Sequence, residues 1–104
     1  MAYYLVRANP KPNTLTDLKA RLESGEIKKM RPFGKALFAS LTSARVVDNG
    51  TAIWEENDYC NPPLTMERAA VLDDYFTDIT VEEVSKGEGW KKLEALPLMW
   101  EVLT

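Results

Sequence analysis

The side chains in this sequence that are best suited to chemistry lie at the ends of two apolar runs. Arg7 and Asn9 end the first run, and residues 56–59 end a later one. An arginine can hold a carboxylate or a phosphate through two parallel hydrogen bonds, and a carboxyl group can accept and return a proton. These residues could therefore hold a small anionic ligand, and we assign no catalytic residue. The candidate ligand-binding residues are Arg7, Asn9, Trp54, Glu56, Asp58 and Tyr59.

A structural interpretation of the same residues is also open. Arg7 and Glu56 could form an ion pair at a dimer interface, because structural ion pairs are common and resemble functional ones in sequence. This interpretation is the one we favour for Arg7. It requires no ligand.

Four acidic residues could supply oxygen ligands to Mg²⁺ or Ca²⁺, namely Glu55, Glu56, Asp58 and Glu67. A calcium-binding loop of the form Asp-x-Asp-x-Asp-Gly is not present in the sequence. We interpret the four side chains as solvated carboxylates, which is the usual state of a charge run. The sequence therefore predicts no metal site and no cofactor.

The chain contains one cysteine, Cys60, and no histidine. Without histidine it cannot build a Ser-His-Asp triad, a Cys-His pair or an imidazole base, and one cysteine excludes an internal disulfide and a zinc site made of thiolates. Cys60 would become a reactive thiolate beside a positive group or at a helix N-terminus, such as one after Pro62-Pro63. We expect a buried, inert thiol.

The composition is typical of one globular domain, with 104 residues of which 45% are hydrophobic and 28% charged. No apolar run approaches the roughly 20 residues of a membrane-spanning helix. We expect a cytoplasmic protein without a membrane partner. The basic residues concentrate in the first half, most densely at Lys28, Lys29, Arg31 and Lys35. In a single domain such a half mixes with the acidic one, so we expect no nucleic-acid partner.

The clearest local signal is Asn49-Gly50 between two β-prone runs, which predicts a hairpin with a type I′ turn. A two-residue loop places Val46 opposite Ile53 on a core face. The other face would carry Arg45, Val47, Ala52, Trp54 and Glu56, as an interface or a binding surface. Arg45 would lie opposite Trp54 and could form a cation–π pair.

Hydrophobic periodicity predicts the remaining elements. We expect strands at residues 3–8 and 78–84, helices at 14–24, 33–44 and 65–76, a C-terminal segment at 90–96, and a helical turn or edge strand at 98–103. A longer strand from Leu41 is the alternative for the second helix. In the third helix, Met66, Ala69, Leu72 and Phe76 should face inward, and Glu67, Arg68, Asp73 and Asp74 should face water.

The resulting order of elements, βαββαβ, resembles the ferredoxin-like plait over residues 2–84, with residues 85–104 as a C-terminal extension. This resemblance implies an α+β sandwich, in which helices cover one face of an antiparallel sheet. We place the first and third strands side by side and parallel at its centre. Their ends would then bring Arg7 and Asn9 beside Glu56, Asp58 and Tyr59.

The arrangement is similar to that of the dimeric α+β barrel group, in which two plaits pair through their open sheet faces. The resemblance implies a homodimer, and an exposed patch of Leu5, Val47 and Trp54 would supply its interface. The chain also resembles RNA-recognition modules but lacks their aromatic RNP strand.

The sequence therefore predicts a dimeric binding or interaction protein. The alternative is a cofactor-free enzyme for a small organic acid, similar to muconolactone isomerases or small monooxygenases and acting at the sheet edge. A deep pocket around Arg7 and Glu56 would favour the enzyme, and a flat apolar sheet face covered by a partner would favour the interaction protein.

Overall fold

A computed structural model describes residues 2–103 as an α+β chain with one four-stranded antiparallel sheet. The strands are β1 (Ala2–Pro10), β2 (Arg45–Val46), β3 (Ala52–Asp58) and β4 (Phe76–Val84). The helices are α1 (Leu15–Ser24), α2 (Gly34–Thr42), α3 (Thr65–Glu67), α4 (Asp73–Tyr75), α5 (Glu88–Leu93) and α6 (Met99–Val102), and a π-helical segment, Arg68–Leu72, joins α3 to α4. No helix within residues 2–103 has the length and apolar character to cross a membrane.

The sheet order is β2-β3-β1-β4, so β1 and β3 are central neighbours as predicted. Their predicted parallel direction is wrong, because Ala2 lies opposite Asp58 and Ala8 lies opposite Ala52. The helices between β1 and β2 return the chain to the end from which β1 started, and the hairpin then reverses it. Measured along the strand direction, the C-terminal ends of β1 and β3 therefore lie at opposite ends of the sheet.

The predicted hairpin is present, but its register differs by one residue. Only Gly50 in the loop has a positive φ, 89°, which excludes a type I′ turn. The Val47 N–H donates to the Thr51 carbonyl at 3.0 Å, and the Gly50 N–H donates to the Val47 carbonyl at 2.8 Å. This is a three-residue loop with a left-handed glycine. Val46 consequently pairs with Ala52, and a one-residue shift exchanges the two faces of a strand.

Trp54 consequently lies in the main core, against the helices, with 0% of its surface exposed. Its ring centroid is 5.2 Å from that of Phe76. Arg45 lies on the other face, where its guanidinium donates to the Leu96 carbonyl. The predicted cation–π pair is therefore wrong. The main core also includes Val6, Ala8, Leu18, Leu37, Leu41, Val46, Ala52, Val71, Leu72 and Met99.

The opposite sheet face is covered in part by the C-terminal segment. Leu93 of α5 packs with Leu5 and Ile53 in a second, smaller cluster. The tail combines both predicted alternatives, since Leu98 forms an isolated bridge with Arg45 and α6 follows it. The apolar patch expected at Leu5 and Trp54 is thus not exposed. The homodimer stays a prediction without that premise.

Candidate functional site

Four ionisable side chains come together where β3 ends and α3 begins. We call Glu56, Asp58, Cys60 and Glu67 the carboxyl cluster. The carboxyl-bearing residues are 2%, 6% and 0% exposed for Glu56, Asp58 and Glu67 respectively, and Cys60 is half-buried. Glu56 and Asp58 share the helix-facing side of β3, because side chains alternate along a strand. The prediction that these carboxylates are solvated is wrong.

The chain turns sharply into α3 at Leu64, which has a left-handed φ of 65°. A bulky residue rarely adopts this conformation. Here its N–H donates to Asp58 Oδ2 at 2.6 Å, so the carboxylate holds the turn from inside. The next inward position after Leu64 at helical spacing is Glu67, followed by Val71. The prediction that Met66 faces inward and Glu67 outward is reversed, since Met66 is 40% exposed.

Glu56 is only partly satisfied. Its Oε1 accepts a hydrogen bond from the Trp54 indole N–H at 3.0 Å, while its Oε2 is buried without a hydrogen-bond partner among residues 2–103. Burial raises the pKa of Glu56 well above its ordinary value; the indole bond opposes this effect, and the neighbouring Glu67 and Asp58 add to it. Glu56 is therefore a carboxyl group that keeps its proton above the normal titration range.

Glu67 is the second such group. Burial raises the pKa of Glu67 to about 7, and its hydrogen bond with the Asp58 carboxyl contributes in the same direction. Its Oε1 lies 3.8 Å from the Cys60 sulfur, which donates to it. Its Oε2 is buried and finds no hydrogen-bond partner in the described part of the chain.

Asp58 and Cys60 complete the cluster. Burial acts to raise the pKa of Asp58, but hydrogen bonds from the Glu67 carboxyl and the Leu64 N–H outweigh it and lower the pKa. A hydrogen bond from the Met66 backbone lowers the pKa of Cys60, yet burial and the nearby carboxylates raise it overall. The cluster thus combines one carboxyl group whose charged form is favoured with three groups whose protonated form is favoured.

No lysine or arginine among the described residues forms an ion pair with this cluster. The ion pairs found within residues 2–103 join Arg21 to Glu26 and Arg68 to Asp73, both away from it. Charges buried without a counter-charge are costly, so protons or an added cation must offset those of the cluster. Ligand atoms of Asp58, Cys60 and Glu67 lie within 4.8 Å of one another.

A cleft of about 460 Å³ lies beside the cluster and shares Asp58 with it. It is bounded by the start of α2 and the end of β3, and Tyr59 on its wall is 72% exposed. The lining residues are Pro32, Phe33, Lys35, Ala36, Asn57, Asp58, Tyr59 and Met66. The cleft therefore combines aromatic and apolar side chains with one amine and one buried carboxylate.

The structure separates the six predicted site residues. Glu56, Asp58 and Tyr59 meet at the cluster and cleft, and Trp54 contributes its indole N–H from the core. Arg7 lies opposite Ile53, exposed and without an ion pair to any described acidic residue. The predicted proximity of Arg7 to Glu56 is therefore wrong, because the two strands are antiparallel.

Asn9, the other residue of the first group, has a structural environment. Its side-chain amide donates to Asp78 at 3.1 Å, and its carbonyl oxygen accepts from the Thr51 hydroxyl at 2.9 Å. It thereby ties the end of β1 to β4 and to the hairpin loop. A ligand-binding role for the predicted residues stays a prediction.

Sequence reasoning missed Glu67 as a buried residue and Phe33 and Lys35 as parts of the cleft. A signal for Glu67 exists in its spacing, because Glu67, Val71 and Tyr75 recur every four residues and all three are buried. A carboxylate on an apolar helix stripe breaks the normal pattern, and such breaks are expected at functional or strained sites.

Comparison of the chain with protein-family models, with curated proteins and with solved structures gives no match.

Proposed function

We propose that this protein binds a small organic acid in the cleft beside the carboxyl cluster. The observation that carries the proposal is the exposure of Tyr59 and Met66 on the wall of one concave site. Small-molecule sites are concave, mostly apolar and equipped with a few polar groups. The cleft agrees with this description.

The polar groups of the cleft indicate the chemical class of the ligand. The Lys35 amine is exposed and can hold an anionic group, and Asp58 can accept a hydrogen bond from a hydroxyl or amine. Pro32 and Lys35 also border a second depression, which is lined by Lys28, Lys29 and Arg31. These cations raise the local concentration of anions. A compact acid with a donor group and an apolar body fits all three features.

The experiment is a titration of ¹⁵N-labelled protein with small hydroxy, amino and aromatic carboxylic acids. We expect saturable shifts in the amide signals of Phe33, Asn57 and Tyr59. Lys35→Met should weaken binding at least about tenfold, which corresponds to the loss of one charged contact. The matched control is Lys92→Met, since Lys92 is an exposed lysine on α5. Absence of binding by every acid, or equal effects of the two variants, would refute the proposal.

Ferredoxin-like topology is the fold class that we propose within the observed α+β architecture. The central position of β1 and β3, with β2 and β4 at the edges, supports it. The homodimer and the cofactor-free enzyme remain predictions. The enzyme hypothesis requires Arg7 to lie beside Glu56, and these residues lie apart. A binding protein therefore has the stronger support.

A further inference from the structure

We propose that Asp58, Cys60 and Glu67 bind one Zn²⁺ ion, a divalent cation that accepts thiolate ligands. Glu56 lies beside this site. This site lies behind the cleft wall and goes beyond the proposed binding of an organic acid. The two proposals share Asp58, which belongs to the cluster and also lines the cleft, but their tests are separate, since the acid is tested through Lys35 and the cation through Cys60.

The first support is geometric. One ligand atom from each of Asp58, Cys60 and Glu67 lies within 4.8 Å of the other two. In a tetrahedral zinc site with the usual metal–ligand bond lengths, neighbouring oxygen and sulfur ligands are about 3.4–3.6 Å apart. Movements of about 1 Å by the ligand atoms, through side-chain rotation, would therefore close the site around a cation.

The second support is independent of the clustering. Glu56 Oε2 and Glu67 Oε2 are both buried, and neither accepts a hydrogen bond from an N–H, O–H or S–H donor within residues 2–103, which leaves only a proton shared between the carboxyl groups to satisfy them. Both side chains are more than nine-tenths buried. A buried polar atom without a partner is rare in folded proteins and requires an explanation, such as an ion. A cation between Glu67 and Asp58 would satisfy the Glu67 oxygen directly and would stabilise the neighbouring Glu56 carboxylate.

The third support is charge. The described part of the chain provides no ion pair to the cluster, so a divalent cation would offset the charge of Asp58 and the charges that Cys60 and Glu67 acquire when they bind it. Cation binding to such a set releases the protons of its ligands. The protein fold and the cation therefore complement each other electrostatically.

The ligand atoms select the type of cation. Ca²⁺ takes six to eight oxygen ligands, and Mg²⁺ needs near-octahedral oxygen geometry, which two carboxylates and one sulfur do not supply. A cysteine sulfur instead favours Zn²⁺ and related ions. Two carboxylates and one thiolate occupy three of the four positions of zinc, which leaves one for Glu56 or a water molecule.

Cys60 supplies a direct assay, because it is the only cysteine in the sequence. The rate at which iodoacetamide alkylates the protein, followed by mass spectrometry, reports on this thiol alone. Equimolar Zn²⁺ should slow alkylation at least about tenfold, and a chelator should restore the rate. Mg²⁺ should have no effect. Equal protection by Mg²⁺, or no protection by Zn²⁺, would overturn the proposal.

Two variants test whether the thiol acts within the three-ligand site. Glu67→Gln should abolish the protection by Zn²⁺, whereas the matched control Glu83→Gln, at an exposed position on β4, should retain it. Protection that persists in Glu67→Gln would show that Zn²⁺ binds the thiol elsewhere and would refute the site.

A spectroscopic measurement covers the case in which Glu67→Gln does not fold. Wild-type protein with Co²⁺ should show a thiolate-to-cobalt charge-transfer band in the near ultraviolet, and Cys60→Ser should lose it. Cys60 is only half-buried, so this substitution should leave the fold intact. A wild-type cobalt complex without that band would exclude coordination by Cys60.

Discussion

Glu55 and Glu56 are adjacent in the sequence and are both buried, yet their environments differ completely. The Glu55 carboxylate faces the C-terminal segment and accepts the backbone N–H groups of Gly87, Gly89 and Trp90 at 2.9, 2.7 and 3.3 Å. Glu56 faces the main core and accepts one indole N–H, while its other oxygen has no partner in the described chain. Burial is therefore the same for the two residues, and hydrogen-bond satisfaction is not.

This difference separates a structural carboxylate from an available one. Glu55 satisfies backbone donors at the start of α5, a position where negative charge is favoured. Gly89 allows the close approach, because a Cβ atom there would lie 2.9 Å from Glu55 Oε1. Both oxygens of Glu55 thus accept hydrogen bonds within the fold. Glu56 and Glu67 keep capacity that the fold does not use, and this distinguishes a candidate site from a buried structural contact.

The largest expected effect is the loss of stability in Glu55→Ala. The substitution leaves three backbone N–H groups without their charged acceptor, and hydrogen bonds to charged groups are among the strongest in proteins. We expect the free energy of unfolding to fall by about 4 kcal/mol. Urea denaturation measures it. Glu82→Ala, at an exposed position on β4, is the control, and an equal midpoint in both variants would contradict a structural role for Glu55.

Sequence reasoning predicted elements well where one periodicity dominates. Leu15, Leu18 and Leu22 recur at helical spacing and predict α1, which the structure confirms. The hairpin shows the limit of this reasoning. Both registers place apolar residues on each face, so alternation could not choose between them, and Asn49-Gly50 is compatible with a loop of either two or three residues.

The site was harder to predict because long-range contacts build it. The cost of desolvating a carboxylate favours an exposed Glu67 in any sequence-based prediction. Its burial depends on contacts with Asp58 and Cys60, which belong to other parts of the chain. The residues that lie near Arg7 likewise depend on the relative direction of β1 and β3. The order of elements determines that direction only when the reversal of the chain at the hairpin is taken into account.

The second prediction is a decrease in the stability of the metal-free protein as the pH rises from about 4.5 to about 7. The ordinary pKa of glutamate, 4.5, rises to about 7 for Glu67 in the folded protein. Between these values the folded state holds a proton that the unfolded chain has released, so rising pH favours unfolding. The pKa of Glu56 is raised as well and adds to the trend. The loss across this window should be on the order of 2 kcal/mol.

Denaturation in the presence of a chelator at several pH values provides the measurement. The other members of the cluster should not obscure it, because the pKa of Asp58 is lowered from 3.8 and that of Cys60 is raised from 9.0. Both therefore titrate outside the window. Glu67→Gln should flatten the profile, and Glu83→Gln should not. A stability that increases across this range would show that Glu67 is ionised in the fold.

The smallest expected effect, and the most direct test of the contrast between the two glutamates, is that of Glu56→Gln beside Glu55→Gln. The two substitutions are chemically identical, and each preserves the size of the side chain. At position 55 the new side-chain NH₂ group would face backbone N–H groups, which are also donors. We therefore expect the free energy of unfolding to fall by about 2 kcal/mol. At position 56 burial favours the neutral, protonated side chain, because it raises the pKa of Glu56 well above its ordinary value. A glutamine amide oxygen can accept the Trp54 indole hydrogen in the same way.

Glu56→Gln should therefore change the free energy of unfolding by less than about 0.5 kcal/mol at pH 6 in the presence of a chelator. A loss at position 56 equal to that at position 55 would mean that Glu56 is an ionised structural group, and the distinction between a satisfied and an available carboxylate would then fail.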